Sequence, residues 1–250
     1  MSDKPKNIEI DENKLKVLQV KDDTDKLVIK HTVFNLPVRC LLVGASGAGK
    51  NTILTNILCS DLFGYNKIFK GENIYIFCPS PYNDKKMMKI IEYYDIDDNN
   101  IYSGSDPDLD AIEHVYNGLI EEFREDPTQQ SVIIIDDYSS TGKFQSKYNI
   151  LTKLFCNSRK FQTSIFFLSQ YYMHVSPAIR TNANVLIIAN CSNKNLQLLN
   201  DEHNYLKDKK TFNEIFRSHT KEKYHFFCIN YTNKFDEMYL NKDFHKIKIE

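Results

Sequence analysis

The chain has 250 residues, 42% of them hydrophobic, enough for one substantial α/β domain or at most two small ones. A formal net charge of −1 excludes a global basic field, so any nucleic-acid contact must come from local patches, or from a ring that gathers such patches around a pore. The 6 cysteines (40, 59, 78, 156, 191, 228) form no C-x-x-C pair and several sit in apolar runs, the usage of reduced, buried thiols in a cytosolic protein.

The N-terminus lacks the apolar core of a signal peptide, and no run approaches the length of a membrane-spanning segment. Residues 1–35 read as a polar lead-in followed by a hairpin. Its arms are Lys14–Val20 and Lys26–Val33, joined by the turn-prone Asp22-Asp23-Thr24-Asp25. From 36 to 250, apolar runs alternate with helix-like segments, and no linker divides them. Strands are expected at 39–43, 73–78, 131–135, 163–168 and 183–189, with two late ones at 224–230 and 237–240. Helices are expected at 50–60, 84–94, 109–124, up to about 157, 194–205 and 210–218, with a short segment at 177–181. Residues 95–108 and 138–147 read as loops. The pattern predicts an α/β fold. Its mainly parallel central sheet is flanked by helices and carries the late strands at its edge.

Gly44-Ala45-Ser46-Gly47-Ala48-Gly49-Lys50 stands between the first strand and the first helix, the context a phosphate loop requires. Its glycines let backbone N–H groups turn toward phosphate oxygens, while the helix N-terminus and Lys50 supply positive charge. ATP with Mg²⁺ is the ligand pair such a loop takes. The next residue, where a Ser or Thr hydroxyl would ligate Mg²⁺, is Asn51, and Thr52 follows one place later. Successive helical residues diverge by about 100°, so Thr52 does not inherit that position, and Asn51 is expected to offer its amide oxygen.

Ser131–Ile135 delivers Asp136 and Asp137 at the C-terminal edge of a buried strand, where ligands sit in open α/β sheets. Asp136 is expected to hold the Mg²⁺ hydration shell, as a Walker B acid does. Asp137 falls where ring ATPases place the carboxylate that polarises water. Thr163–Leu168 is a second buried strand between Asp136 and a later strand, and it ends in Ser169-Gln170, the arrangement of an α/β P-loop NTPase of the additional-strand class; the Gln170 amide can donate to a γ-phosphate and accept from water. Arg159 precedes this strand and Arg180 follows it; either is a candidate arginine finger reaching a neighbouring subunit's nucleotide. Lys85, Lys86, Lys143, Lys147 and the basic stretch 207–223 are the local charges that could meet a nucleic-acid backbone, or simply face solvent.

The ordered set G-A-S-G-A-G-K, I-Y-I-F-C-P-S-P, V-I-I-I-D-D-Y, N-S-R-K, S-I-F-F-L-S-Q and A-I-R-T-N-A-N resembles one family, from about residue 36 to 190. It is similar to the viral genome-packaging ATPases of the FtsK/HerA superfamily, as in poxviruses, other large DNA viruses and virophages. The resemblance implies a homo-oligomeric ring, pentameric or hexameric, that drives double-stranded DNA by its backbone into a capsid. Its partner is a capsid protein at a portal or vertex, and its setting the viral factory of the host cytoplasm and the virion. It also implies that Lys50 cradles phosphates, Asp136 and Asp137 handle metal and water, Gln170 senses the nucleotide and Arg159 acts in trans. Two other classes fit the phosphate loop: a P-loop nucleotide kinase, against which the low arginine content speaks, and a nucleotide-binding assembly module with little hydrolysis.

Overall fold

Why the sheet orders itself as it does follows from which strands are apolar on both faces. The computed structural model describes residues 33–136, 138, 150–206 and 208–249. The expected hairpin arms before Val33, and also Asp137, Lys143, Lys147 and Lys207, lie outside the described residues. In chain order the elements are β1 (Arg39–Val43), α1 (Lys50–Cys59), β2 (Ile74–Phe77), α2 (Lys85–Tyr94), β3 (Ile101–Tyr102), α3 (Leu109–Glu125), β4 (Ser131–Ile135) and α4 (Ile150–Asn157). Then come β5 (Thr163–Ser169), α5 (Pro177–Asn182), β6 (Val185–Ala189), α6 (Asn193–His203), α7 (Lys209–Thr220), β7 (Phe226–Asn230) and β8 (Tyr239–Leu240).

The 8 strands form one sheet in the order β3-β2-β4-β5-β1-β6-β7-β8. Pairings from β3 through β6 are parallel, while β7 and β8 run antiparallel at the edge. Central parallel strands covered on both faces need unbroken apolar sequence, and every residue of β4 and β5 is buried. Alternation along β1 divides the core. Cys40 and Leu42 pack with Leu54, Ile57 and Leu58 of α1 and Ile90 of α2. Leu41 and Val43 join the opposite cluster, which takes in Val115 of α3, Leu154 of α4, Leu199 of α6 and Phe216 of α7. The sheet is therefore sandwiched between two helical layers.

One sequence expectation is corrected. Residues 95–108 are not all loop, because Ile101 and Tyr102 pair with Ile76 and Phe77 as β3. Several cysteines are buried, as expected: Cys40, Cys78 and Cys228 lie in the core, while Cys156 is exposed. No helix among the described residues is long and apolar enough to cross a membrane.

Candidate functional site

β5 lies between β1 and β4, so the three sequence motifs end side by side at one edge of the sheet. Gly44 donates its N–H to the carbonyl of Ser169 at 3.1 Å, which places Gln170 against the start of the phosphate loop. Asp136 donates its N–H to Phe77 at 2.9 Å, tying the end of β4 to the end of β2. A cavity of about 610 Å³ opens here, lined by Ser46, Gly47, Gly49, Lys50, Asn51 and Thr52 of the loop and helix, together with Asp136 and Gln170.

The loop's glycines have separate reasons. Gly47 and Gly49 hold φ of 74° and 96°, the left-handed region that side chains resist. Gly44 is needed for close packing, since a Cβ there would meet Ala189 Cβ at 2.9 Å and Ala48 Cβ at 3.0 Å. Lys50 folds back over the loop, and its Nζ donates to the Gly44 carbonyl at 2.8 Å. Asp84, Asp108, Ser176, Ser192 and Asp208 cap α2, α3, α5, α6 and α7 with their side chains. At the start of α1 stands Gly49, with no side-chain cap and no acidic residue in the first turn. That electrostatic arrangement suits an anionic ligand.

The metal end of the site departs from expectation. Asn51 does not present its amide oxygen. Its Nδ2 donates to Asp136 Oδ2 at 2.9 Å and to Asp84 Oδ2 at 2.5 Å. An ionised carboxylate only accepts, so an amide between two of them must turn its NH₂ inward. Asp84 is held by its other oxygen, which accepts from the N–H of Lys86 at 2.7 Å at the start of α2. Two carboxylates gathered at one point are the donor set Mg²⁺ takes, completed by water and phosphate oxygens. Asp84 and Asp136 therefore fit such an ion.

The two arginines lie elsewhere. Both line a second cavity, about 590 Å³, at the opposite edge of the sheet, where Arg39 starts β1 and Asn184 precedes β6. β1 separates the two cavities by roughly 13 Å at about 3.3 Å per residue. Arg159 is exposed there. Burial and the neighbouring Arg159 guanidinium hold the pKa of Arg39 below its ordinary value. Arg180 is instead 6% exposed and inside a network. Its Nε and Nη2 fork onto Glu202 at 2.9 and 2.6 Å, its Nη1 donates to Val175 at 2.6 Å, and it lies over the Tyr172 ring. His203 continues the chain of contacts between the hydroxyls of Tyr172 and Tyr231. Burial pushes the His203 pKa down to about 4, against the opposing pull of Glu202, so the ring is neutral at pH 7. As an alternative finger, Arg180 is already committed.

The profile of the poxvirus A32 protein family matches residues 25–243. The chain belongs to that family. Comparison with curated protein sequences gives no match. The fold is shared with the genome-packaging NTPase B204 of Sulfolobus turreted icosahedral virus 2, solved with AMPPCP. The two are 14% identical with a TM-score of 0.57 over 84% of this chain and 98% of that one. The DNA-packaging ATPase B204 of Sulfolobus turreted icosahedral virus is similar at 12% identity and a TM-score of 0.59, over 86% of this chain and 100% of that one. The cytoplasmic domain of the type VII secretion ATPase EccC of Thermomonospora curvata is similar at 12% identity and a TM-score of 0.51. That match covers 86% of this chain and 24% of that one. The expected additional-strand P-loop fold is the observed one.

In this A32-family chain Asp84 and Tyr224 were not legible as site residues, and Lys85 was legible only as a charge for a nucleic-acid backbone, yet all three line the first cavity. Asp before an apolar-periodic run signals a helix cap, and only the placement of α2 beside α1 makes it a site residue. Arg217, one of the basic residues of 207–223 expected to meet a nucleic-acid backbone or face solvent, braces the loop after β6. Its Nη1 donates to Asn190 Oδ1 at 2.6 Å and Cys191 O at 2.8 Å, and its Nη2 to Asn193 Oδ1 at 2.7 Å.

Exchanging the pair, Asn51→Thr with Thr52→Asn, removes the amide from between Asp84 and Asp136 and restores a hydroxyl at the first helical turn. The expected result is a Mg²⁺ midpoint for nucleotide binding lowered about tenfold, the size of effect that outer ligands have on metal affinity. Coincident Mg²⁺ titrations of the exchanged and natural chains would mean that Asn51 costs the site nothing.

Proposed function

We propose that this chain hydrolyses ATP at the first cavity, as a subunit of a ring that moves double-stranded DNA into a viral capsid. The observation carrying the reading is the convergence of Lys50, Asp136 and Gln170 on one cavity, brought about by β5 inserted between β1 and β4. Family membership and the fold shared with two archaeal-virus packaging NTPases support the same reading.

The roles follow from charge and position. Lys50 and the N–H groups of the loop neutralise the phosphates. Asp136 and Asp84 would hold Mg²⁺, which when bound would neutralise negative charge on the phosphates. Gln170 donates to the γ-phosphate and orients the attacking water, and Asp137 accepts that water's proton as the bond from γ-phosphorus to the ADP oxygen breaks. Arg159, at the far edge of the sheet from its own phosphate loop, serves the nucleotide of the adjoining subunit. The ring, of five or six copies, contacts the DNA backbone without reading sequence and engages a capsid protein at a portal or vertex. It works in the host cytoplasm and enters the virion. Double-stranded DNA should raise the rate of phosphate release; a chain that binds ATP but hydrolyses it no faster with DNA is an assembly module. The inward amide of Asn51 is the observation favouring that second reading.

The trans role has its own test. Arg159→Ala and Asp137→Asn chains are each expected to bind ATP normally and hydrolyse it at least tenfold more slowly. Mixed together they should recover part of the activity, because some interfaces then pair an intact site with an intact finger. If mixing recovers nothing, Arg159 does not act across a subunit boundary.

A further inference from the structure

We infer that Tyr224 is the base-stacking wall of the nucleotide site, so that the turn between α7 and β7 holds the purine while the phosphate loop holds the phosphates. This rests on the reading of the first cavity as a nucleotide site. Tyr224 lines that cavity beside Gly49 and Lys50, and among the residues that line it no other is aromatic. Its ring leans on the loop backbone: a Cβ built at Gly49 would stand 3.3 Å from Tyr224 Cδ1.

The ring contributes little to folding where it is. It is 58% exposed, whereas the next residues, Phe226 and Phe227, are buried in the two cores. Its backbone is also costly, with φ of 68° in a bulky residue that gains nothing from the left-handed region. The turn that imposes this conformation is closed by a hydrogen bond from the His225 N–H to the Glu222 carbonyl at 3.1 Å, and the His225 Nε2 lies 3.5 Å from Glu222 Oε2. An exposed aromatic, held in an unfavourable conformation against a phosphate loop, is what a stacking platform for a base requires.

Direction agrees. Asp136, Asp84 and Gln170 mark the end of the cavity where the terminal phosphate would react. Tyr224 touches the loop at Gly49, next to the N-terminus of α1, leaving its ring for the other end of the ligand. Lys223 Nζ stands 4.8 Å from the ring centroid and adds positive charge at the same rim.

The test compares a non-hydrolysable ATP analogue with inorganic tripolyphosphate, both measured by competition against a fluorescent ATP derivative. Tyr224→Ala and Tyr224→Gly are expected to weaken the analogue about tenfold to a hundredfold and leave tripolyphosphate unchanged. Tyr224→Phe should keep analogue affinity, since the ring and not the hydroxyl stacks. Tyr224→Gly relieves the positive φ, so its melting temperature should equal or exceed that of the natural chain, which separates lost stacking from lost folding. Unchanged analogue affinity in the Ala and Gly variants overturns the inference. So does an equal loss for tripolyphosphate, which would make Tyr224 a prop for the loop. A natural chain that binds neither ligand would instead overturn the nucleotide site itself.

Discussion

Lys50→Ala is expected to lower ATP turnover by about 10²–10³-fold, the usual cost of removing one preorganised donor from a site of developing negative charge. ATP affinity should fall about tenfold to a hundredfold, since a hydrogen bond to a charged group is worth about 1.5–3 kcal/mol. The effect on folding should be small. Lys50 Nζ donates to carbonyls of its own loop at Gly44 and Ala45, and such bonds contribute about 1 kcal/mol net. Steady-state phosphate release and equilibrium binding of the analogue check the two losses separately. Natural turnover in this variant would end the assignment of residues 44–50 as the phosphate loop.

Arg180→Ala is expected to unfold far more easily, with a loss of about 3–5 kcal/mol in urea denaturation, because it leaves Glu202 partly buried without its cation. The Glu202 carboxyl is pressed upward by burial but held below its ordinary pKa by the Arg180 guanidinium and the Tyr172 hydroxyl, so it is charged at pH 7 and cannot adapt cheaply. Replacing both partners, Arg180→Ala with Glu202→Ala, should cost less than the sum of the single changes. Were Arg180 a finger for a neighbouring subunit, its loss would slow hydrolysis and leave the unfolding curve in place. That outcome would move the trans role away from Arg159.

Most of the architecture is legible from local sequence signals. The unbroken apolar stretches 132–135 and 165–168 are strand signals by themselves, and the phosphate loop sits at a strand–helix junction that is itself a sequence feature. The glycines mark a loop whose backbone must turn, while only the structure shows that Gly47 and Gly49 are the ones in the left-handed region. The strand Ile101–Tyr102 was illegible, since two residues carry no periodicity and only pairing with β2 makes them a strand.

What the sequence by itself determined was the identity of the chemical groups: Lys50, Asp136 and Gln170, each at the end of a strand or loop whose direction the chain pattern dictates. What only the tertiary structure decided was which other groups join them, and which candidates are spent elsewhere. Asp84 and Tyr224 stand 33 and 173 positions from Asn51 along the chain, one reading as a helix cap and the other as the start of a late strand. Packing of α2 against α1, and of β7 against β6, sets both on the rim of one cavity. Arg159 and Arg180 were both candidate fingers, the first favoured by the family resemblance, because a sequence shows charge and not burial. The fold exposes the first and locks the second onto Glu202. Asn51 looked like an oxygen donor until two acceptor-only carboxylates were seen to meet at its amide, and that meeting is a property of the folded chain alone.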